Sequence, residues 1–273
     1  ILAEGPFKIS WSQAAAGDAG GELGAALAAW DDYHDKPRET NGHDRMEGSY
    51  LGPRYEDATI KTQLDQMNAV YEHLDDAGLE DRLGSILADE KVVGWFQGRR
   101  EFGPRALGGR SIIGTPTSEK MQTTMNLKIK FRESFRPFAP SVLADKAAEW
   151  FETDRESPYM LLVADVKREK QRAMTEEQKG LWGIDKLNVA RSEIPAVTHV
   201  DYSARLQAVT RESNPRYYGL IEKFYEKTGC PLVINTSFNV RGEPIVESPI
   251  DAYRCFMRTE MDVLVMGNFI IFK

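Results

Sequence analysis

The spacing of apolar positions divides the chain into two textures. Residues Ala14–Trp30 are small or apolar, with glycines making a tight turn around Asp18 before an Ala/Leu-rich helix. The stretch Asp31–Gly48 is polar and turn-prone, which predicts an exposed loop. From Tyr55 to Gly78, the residues Ile60, Leu64, Met67, Val70, Tyr71 and Leu74 recur at helical spacing, with Gly78 as a C′ stop. A short helix follows over Glu80–Ala88.

Beyond residue 88 short strand-like and helical runs alternate. Strands are predicted at Lys91–Gln97, Ser111–Gly114, Phe138–Leu143, Tyr159–Val166, Ala196–Val200, Arg205–Val209, Pro231–Thr236 and Val263–Phe272. Helices are predicted at Ser118–Leu127, Asp145–Phe151, Asn214–Thr228 and Pro249–Glu260. Strands mixed with helices imply an α/β or α+β sheet domain over residues 88–273. The charged run Lys167–Glu193 reads as a surface insertion between two strands.

At 273 residues, 41% hydrophobic and 28% charged, the chain is of ordinary globular composition. Its apolar runs are far shorter than the roughly 20 residues of a membrane span. Only Cys230 and Cys255 occur, without a CxxC, so disulfide scaffolds and structural zinc sites are not expected, and a reducing cytoplasm fits. The net charge of −7 argues against a dedicated nucleic-acid binder. Nine of the Lys/Arg nevertheless fall between Arg99 and Arg136 against three Glu, a local +6 that leaves −13 for the rest. A focused positive pocket in an acidic protein suits a small polyanion. The chain opens on Ile1 and reads as part of something longer.

Five segments carry candidate chemistry. Gly17–Gly21 sets glycines beside Asp18 at a helix start, either a phosphate or metal contact or an Asp N-cap in a tight loop. In Glu101–Ser111, Gly-Pro and Gly-Gly bracket Arg105, fixing the backbone around one cation whose guanidinium is free to fork onto oxygens. In Met125–Pro140, the alternation Lys128-Ile129-Lys130-Phe131-Arg132 puts a basic face opposite an apolar one if extended, with Arg136 and two prolines following. Basic residues interleaved with Phe also suit single-stranded nucleic acid. In Asp201–Gln207, Arg205 and Gln207 would share a strand face, as would happen on any surface strand. Asn235–Pro244 places Ser237, Asn239 and Arg241 just past a strand's C-terminal end, a position suited to a ligand or to a polar turn. The histidines show no metal-binding spacing, and His199 reads as structural in an apolar strand. Donors and cations dominate, which points to electrostatic handling of phosphate without a protein nucleophile.

The blocks EFGPRALGGRSI (101–112), MNLKIKFRESFRPFAPSVL (125–143), HVDYSARLQAV (199–209) and PLVINTSFNVRGEPIVESP (231–249) together resemble the C-terminal domain of NodU/CmcH-type carbamoyltransferases. That resemblance implies a YrdC-like twisted sheet over 88–273, a helical connector over 51–87, and, from GDAGGELGAAL (17–27), the tail of an ASKHA-type, TsaD-like domain over 1–50. It implies an ATP-dependent O-carbamoyltransferase that forms carbamoyl-adenylate from carbamoyl phosphate and ATP, with Mg²⁺. Arg105, Lys130 and Arg136 would be catalytic, and Arg205, Ser237, Asn239 and Arg241 would bind the nucleotide. Asp18 would be a ligand to an iron-type metal whose other ligands, an HxxxH pair among them, would precede Ile1. The carbamoyl group would pass to a small-molecule hydroxyl acceptor at that metal. A homodimer is left open. Tyr202, where the family usually has Gly, and the length of 167–193 depart from the pattern at the pocket mouth. A non-catalytic nucleotide- or RNA-binding module using the same groove is the competing reading.

Overall fold

A computed structural model describes Pro6, residues 13–34 and residues 44–273. Residues 35–43, half of the exposed loop expected over 31–48, lie outside the described residues, while residues 31–34 are helical instead of loop.

In chain order the structure comprises α1 (Asp18–His34), α2 (Asp57–Gln66), β1 (Glu72–His73), α3 (Asp76–Ala88), β2 (Val93–Phe96), β3 (Arg110–Gly114) and α4 (Met121–Met125). It continues with β4 (Ala139–Leu143), α5 (Ala147–Trp150), β5 (Val163–Asp165), α6 (Glu176–Gly180), α7 (Gly183–Leu187), β6 (Ser203–Arg205) and β7 (Gln207–Val209). The last elements are α8 (Pro215–Thr228), β8 (Leu232–Ser237), α9 (Pro249–Arg258), β9 (Val263–Met266) and β10 (Phe269–Phe272). Eight strands form one mixed sheet in the order β1-β10-β9-β2-β3-β8-β4-β7, and β5 pairs with β6 in a second. The pairs β2–β9 and β4–β7 are parallel, and the remaining pairs are antiparallel.

Every residue of β2, β3, β4 and β9 is buried, as required of strands covered on both faces. On one side α3 packs on α8, where Leu79, Leu83 and Leu87 meet a core shared with Tyr217, Leu220, Ile221 and Phe224. Each such apolar side chain contributes roughly 1.5–3 kcal/mol. The helix ends carry their own stop signals. Asn214 caps α8 through Tyr217 N at 3.1 Å, Pro215 opens it, and Gly229 closes it in the left-handed region at φ 73°. Ser248 and Asp251 form a capping box at α9.

Several expectations change. The helix expected to stop at Gly78 ends at Gln66, and Gly78 instead lies in the first turn of α3, where its N–H donates to Asp75 Oδ1. The segment 51–87 also contributes β1 and packs Ile60, Leu64 and Leu79 into the same core as the sheet. Ala196–Val200 is not a strand. Pro195 starts a 3-10 turn there, and His199 sits in the turn that follows. Val263–Phe272 is a hairpin folded at Gly267 rather than one strand. Arg205–Val209 splits at Leu206, so Arg205 belongs to β6 in the small sheet and Gln207 to β7 in the large one. The extended basic face expected at Lys128–Arg132 is absent. α4 runs into a π-helical turn, Asn126–Lys130, and Phe131 then takes a left-handed conformation. A π turn rotates successive side chains, so Ile129 and Lys130 point inward while Lys128 is exposed.

Candidate functional site

The C-terminal end of β8 is where the cation-bearing segments meet. Lys130, only 5% exposed, directs its ammonium at Ser237 O (2.9 Å), Ser237 Oγ (3.3 Å), Asn239 O (2.8 Å) and Asn239 Oδ1 (2.6 Å). Ser237 Oγ in turn donates to Asn239 Oδ1 at 2.7 Å, and Asn239 Nδ2 donates to Glu243 O at 2.7 Å. All of Lys130's partners are neutral. Burial, with Arg132's charge adding, pulls its pKa down to about 7.

Asn126, fully buried, shapes the next stretch. Its Nδ2 donates to the carbonyls of Ser134 (2.9 Å) and Arg136 (2.8 Å), and its Oδ1 accepts from Arg132 Nε at 2.5 Å. Arg132 lies over the Phe138 ring at 4.7 Å, and burial lowers its pKa to about 10, with Arg136 pushing the same way. Arg136 itself is exposed, 3.7 Å from Glu133, and Arg241 approaches the other oxygen of that carboxylate at 3.7 Å. These two form a looser outer pair than Lys130.

Arg105 and Arg205 behave differently. Both are half-buried, both have a buried Nε without a hydrogen-bond partner, and neither forms an ion pair among the described residues. They are close enough to interact: Arg205's pKa is lowered by burial and then by the charge of Arg105. Two interacting guanidiniums without a counter-charge carry both a repulsion and a desolvation penalty, which an anion between them would relieve. His199 stands beside Arg205, and burial holds its imidazole pKa down, with Arg205 pushing the same way and Asp201 opposing.

Sequence reasoning met Gln207 and Asn235 in candidate segments but gave neither the holding role that the structure shows. Gln207, buried on β7, donates from Nε2 to Leu107 O at 2.8 Å and accepts from Ser141 Oγ (2.6 Å) and Asn235 Nδ2 (3.0 Å). Asn235 Nδ2 also reaches Ala106 O at 3.0 Å. The clamp ties the loop carrying Arg105 to β8, β4 and β7. Amide residues inside apolar strands, such as Asn235 in Leu232–Ser237, were the available signal. Asp18 is exposed at the first position of α1. Among the described residues no three His, Cys, Asp or Glu side chains converge, so they do not by themselves make the iron-type centre.

A family model, that of the carbamoyltransferase C-terminus, matches residues 84–273. The chain belongs to the carbamoyltransferase C-terminus family. It is 58% identical over its whole length to an uncharacterized protein of Synechocystis, of which it covers 45%. It is 40% identical, again over its whole length, to the nodulation protein NolO of Bradyrhizobium diazoefficiens, covering 46%. To nodulation protein U of the same organism it is 34% identical over 89% of the chain and 36% of that protein. The chain thus spans somewhat under half the length of these relatives. A crystal structure of full-length HypF in its phosphate- and nucleotide-bound form overlaps 72% of the chain and 22% of HypF, at 18% identity and a TM-score of 0.45. Among the described residues no helix is long and apolar enough to cross a membrane.

Proposed function

We propose that this chain is the adenylating part of an ATP-dependent O-carbamoyltransferase, forming carbamoyl-adenylate from carbamoyl phosphate and ATP for transfer to a hydroxyl acceptor. The observation that carries this reading is that Arg105 and Arg205, which interact with each other, have no carboxylate partner among the described residues, while Lys130 is buried with only neutral partners. Membership of the carbamoyltransferase family supports the same chemistry. The domain reading follows from it: 1–50 as the tail of an ASKHA-type domain, 51–87 as the passage between domains, and 88–273 as a YrdC-like unit.

Water cleaves carbamoyl phosphate to carbamate and phosphate. A carbamate oxygen then attacks the α-phosphorus of ATP, and the bond to pyrophosphate breaks. The reaction brings anions together, so the protein's task is to neutralise and align them. Arg105 and Arg205 would fork onto phosphate or carbamate oxygens. Lys130, held by Ser237 and Asn239, would take up a proton as negative charge arrives. Arg136 would meet charge developing in the transition state, and Arg241 would only steer the approaching triphosphate. Mg²⁺ would travel on the nucleotide's own phosphates. An iron-type metal would belong to the acceptor step, and Asp18 is this chain's candidate ligand for it.

The test is ATP–pyrophosphate exchange with and without carbamoyl phosphate. Exchange that depends on carbamoyl phosphate is expected. ATP binding with no exchange, in this chain and in the full-length protein alike, would overturn the reading. Oligonucleotide binding with a steep salt dependence would then favour the alternative, for which exposed Phe131 and Phe135 beside the cations would be stacking platforms.

A further inference from the structure

The loop between β2 and β3 is buried from Ala106 to Gly109, a place where irregular backbone must find partners for each of its polar groups. Glu101 takes two of the loop's N–H groups and that of the residue after it. Its carboxylate, 5% exposed, accepts with one oxygen from Leu107 N (2.7 Å), Gly109 N (2.7 Å) and Arg110 N (3.4 Å). The carbonyls point to side chains instead: Leu107 O to Tyr50 Oη (2.7 Å) and Gly108 O to Trp95 Nε1 (2.8 Å). Arg110, with no exposed surface, returns hydrogen bonds to the carbonyls of Gln97 (3.0 Å) and Gly109 (3.0 Å). The loop is a backbone nest filled by an internal carboxylate, and Arg105 leaves it one residue before the first clamped carbonyl.

We infer that Glu101 is the positioning residue for Arg105: by occupying this nest it sets where the Arg105 guanidinium stands, and so sets affinity for anionic substrate without touching it. The inference rests on the reading of Arg105 as an anion ligand. Glu101 is a poor candidate for direct contact, because its bonded oxygen is taken by amides and its other oxygen is buried without a partner. A carboxylate bonded to amides is also expected to be a stronger clamp than a neutral acceptor.

A double-mutant cycle tests this. ATP and carbamoyl phosphate affinities are measured calorimetrically for the wild type, Glu101→Leu, Glu101→Gln, Arg105→Ala and the two double variants, with thermal unfolding as the fold control. Glu101→Leu should weaken binding about tenfold, and Glu101→Gln, which keeps one acceptor oxygen, should recover part of that loss. In the Arg105→Ala background the same changes should fall below about twofold, since a residue acting through Arg105 has nothing left to position. If Glu101→Leu does not fold, Glu101→Gln runs the same cycle. Equal losses in both backgrounds, or unchanged affinity in a folded Glu101→Gln, would overturn the positioning role alone. Unchanged affinity in Arg105→Ala would remove the anion reading of Arg105 and this inference with it.

Discussion

Lys130 donates to Asn239 Oδ1 at 2.6 Å, so a buried ammonium meets an amide oxygen where structural lysines ordinarily meet a carboxylate. Its hydrogen bonds are satisfied but its charge is not. Such a lysine is not part of an internal ion pair, and under the proposed function its charge would be met by an arriving anion.

Replacing that amide by a carboxylate should therefore stabilise the protein and impair the site together. Asn239→Asp gives Lys130 a counter-charge, which raises the lysine's pKa and cancels the field an anion would use. Unfolding by urea should show a midpoint at or above the wild type's, while phosphate or ATP affinity falls about tenfold. Wild-type affinity in the variant would show that Lys130's charge does not reach the ligand.

The lysine also predicts a pH dependence. Its folded-state pKa is about 7, below the unfolded value near 10.5, so the unfolded chain binds more protons between those limits. Stability should consequently rise with pH across that window, the burial penalty being fully present below about pH 7. Lys130→Met removes the contribution. Urea unfolding of both proteins from pH 7 to 9.5 should give a steeper rise in the wild type, and parallel curves would contradict the assignment.

Arg105→Ala and Arg205→Ala should each weaken ATP or carbamoyl phosphate binding at least about tenfold, or 1.4 kcal/mol. Arg241→Ala, exposed and already facing Glu133 at 3.7 Å, should change affinity less than about twofold. Equal effects at all three would point to general electrostatic attraction instead of a defined seat.

In an exchange assay, Lys130→Ala and Arg136→Ala should each slow carbamoyl-phosphate-dependent ATP–pyrophosphate exchange by about tenfold or more, the effect of one charge-assisted contact in the transition state. Unchanged exchange in both would remove them from the catalytic set.

Gly108 has φ +106°, and a Cβ there would lie 2.3 Å from the ring of fully buried Tyr217. Gly108→Ala should destabilise the fold by roughly 3 kcal/mol or more, combining backbone strain with a clash that has no room to relax. A thermal midpoint within a degree of the wild type's would contradict this.

Much was legible along the chain because it depended on neighbours in sequence. The α8 and α9 boundaries follow from Asn214, Pro215, Gly229 and Ser248, whose capping chemistry is local. The strands around Val93, Ile112, Val142 and Val233 follow from short apolar runs bounded by turn residues. The excess of cations between Arg99 and Arg136, and the glycines bracketing Arg105, are likewise visible in sequence and mark the region of the candidate site.

What the chain alone left open depends on partners distant in sequence. Alternation in Lys128–Arg132 predicts extended structure, but Asn126 gains more by binding the carbonyls of Ser134 and Arg136, and the turn becomes π-helical. Arg205 and Gln207 look like one strand face until pairing with β5 on one side and β4 on the other pulls them into separate sheets. Whether a cation is spent on a carboxylate or left free is likewise a tertiary decision. Arg110 is enclosed by backbone carbonyls, Arg258 by Glu243, and Arg105 and Arg205 by neither. Local sequence determines which charges are available. Only the packing of the sheet determines which remain unneutralised, because electrostatic compensation depends on distance in space and burial, and neither is encoded in any short window of sequence.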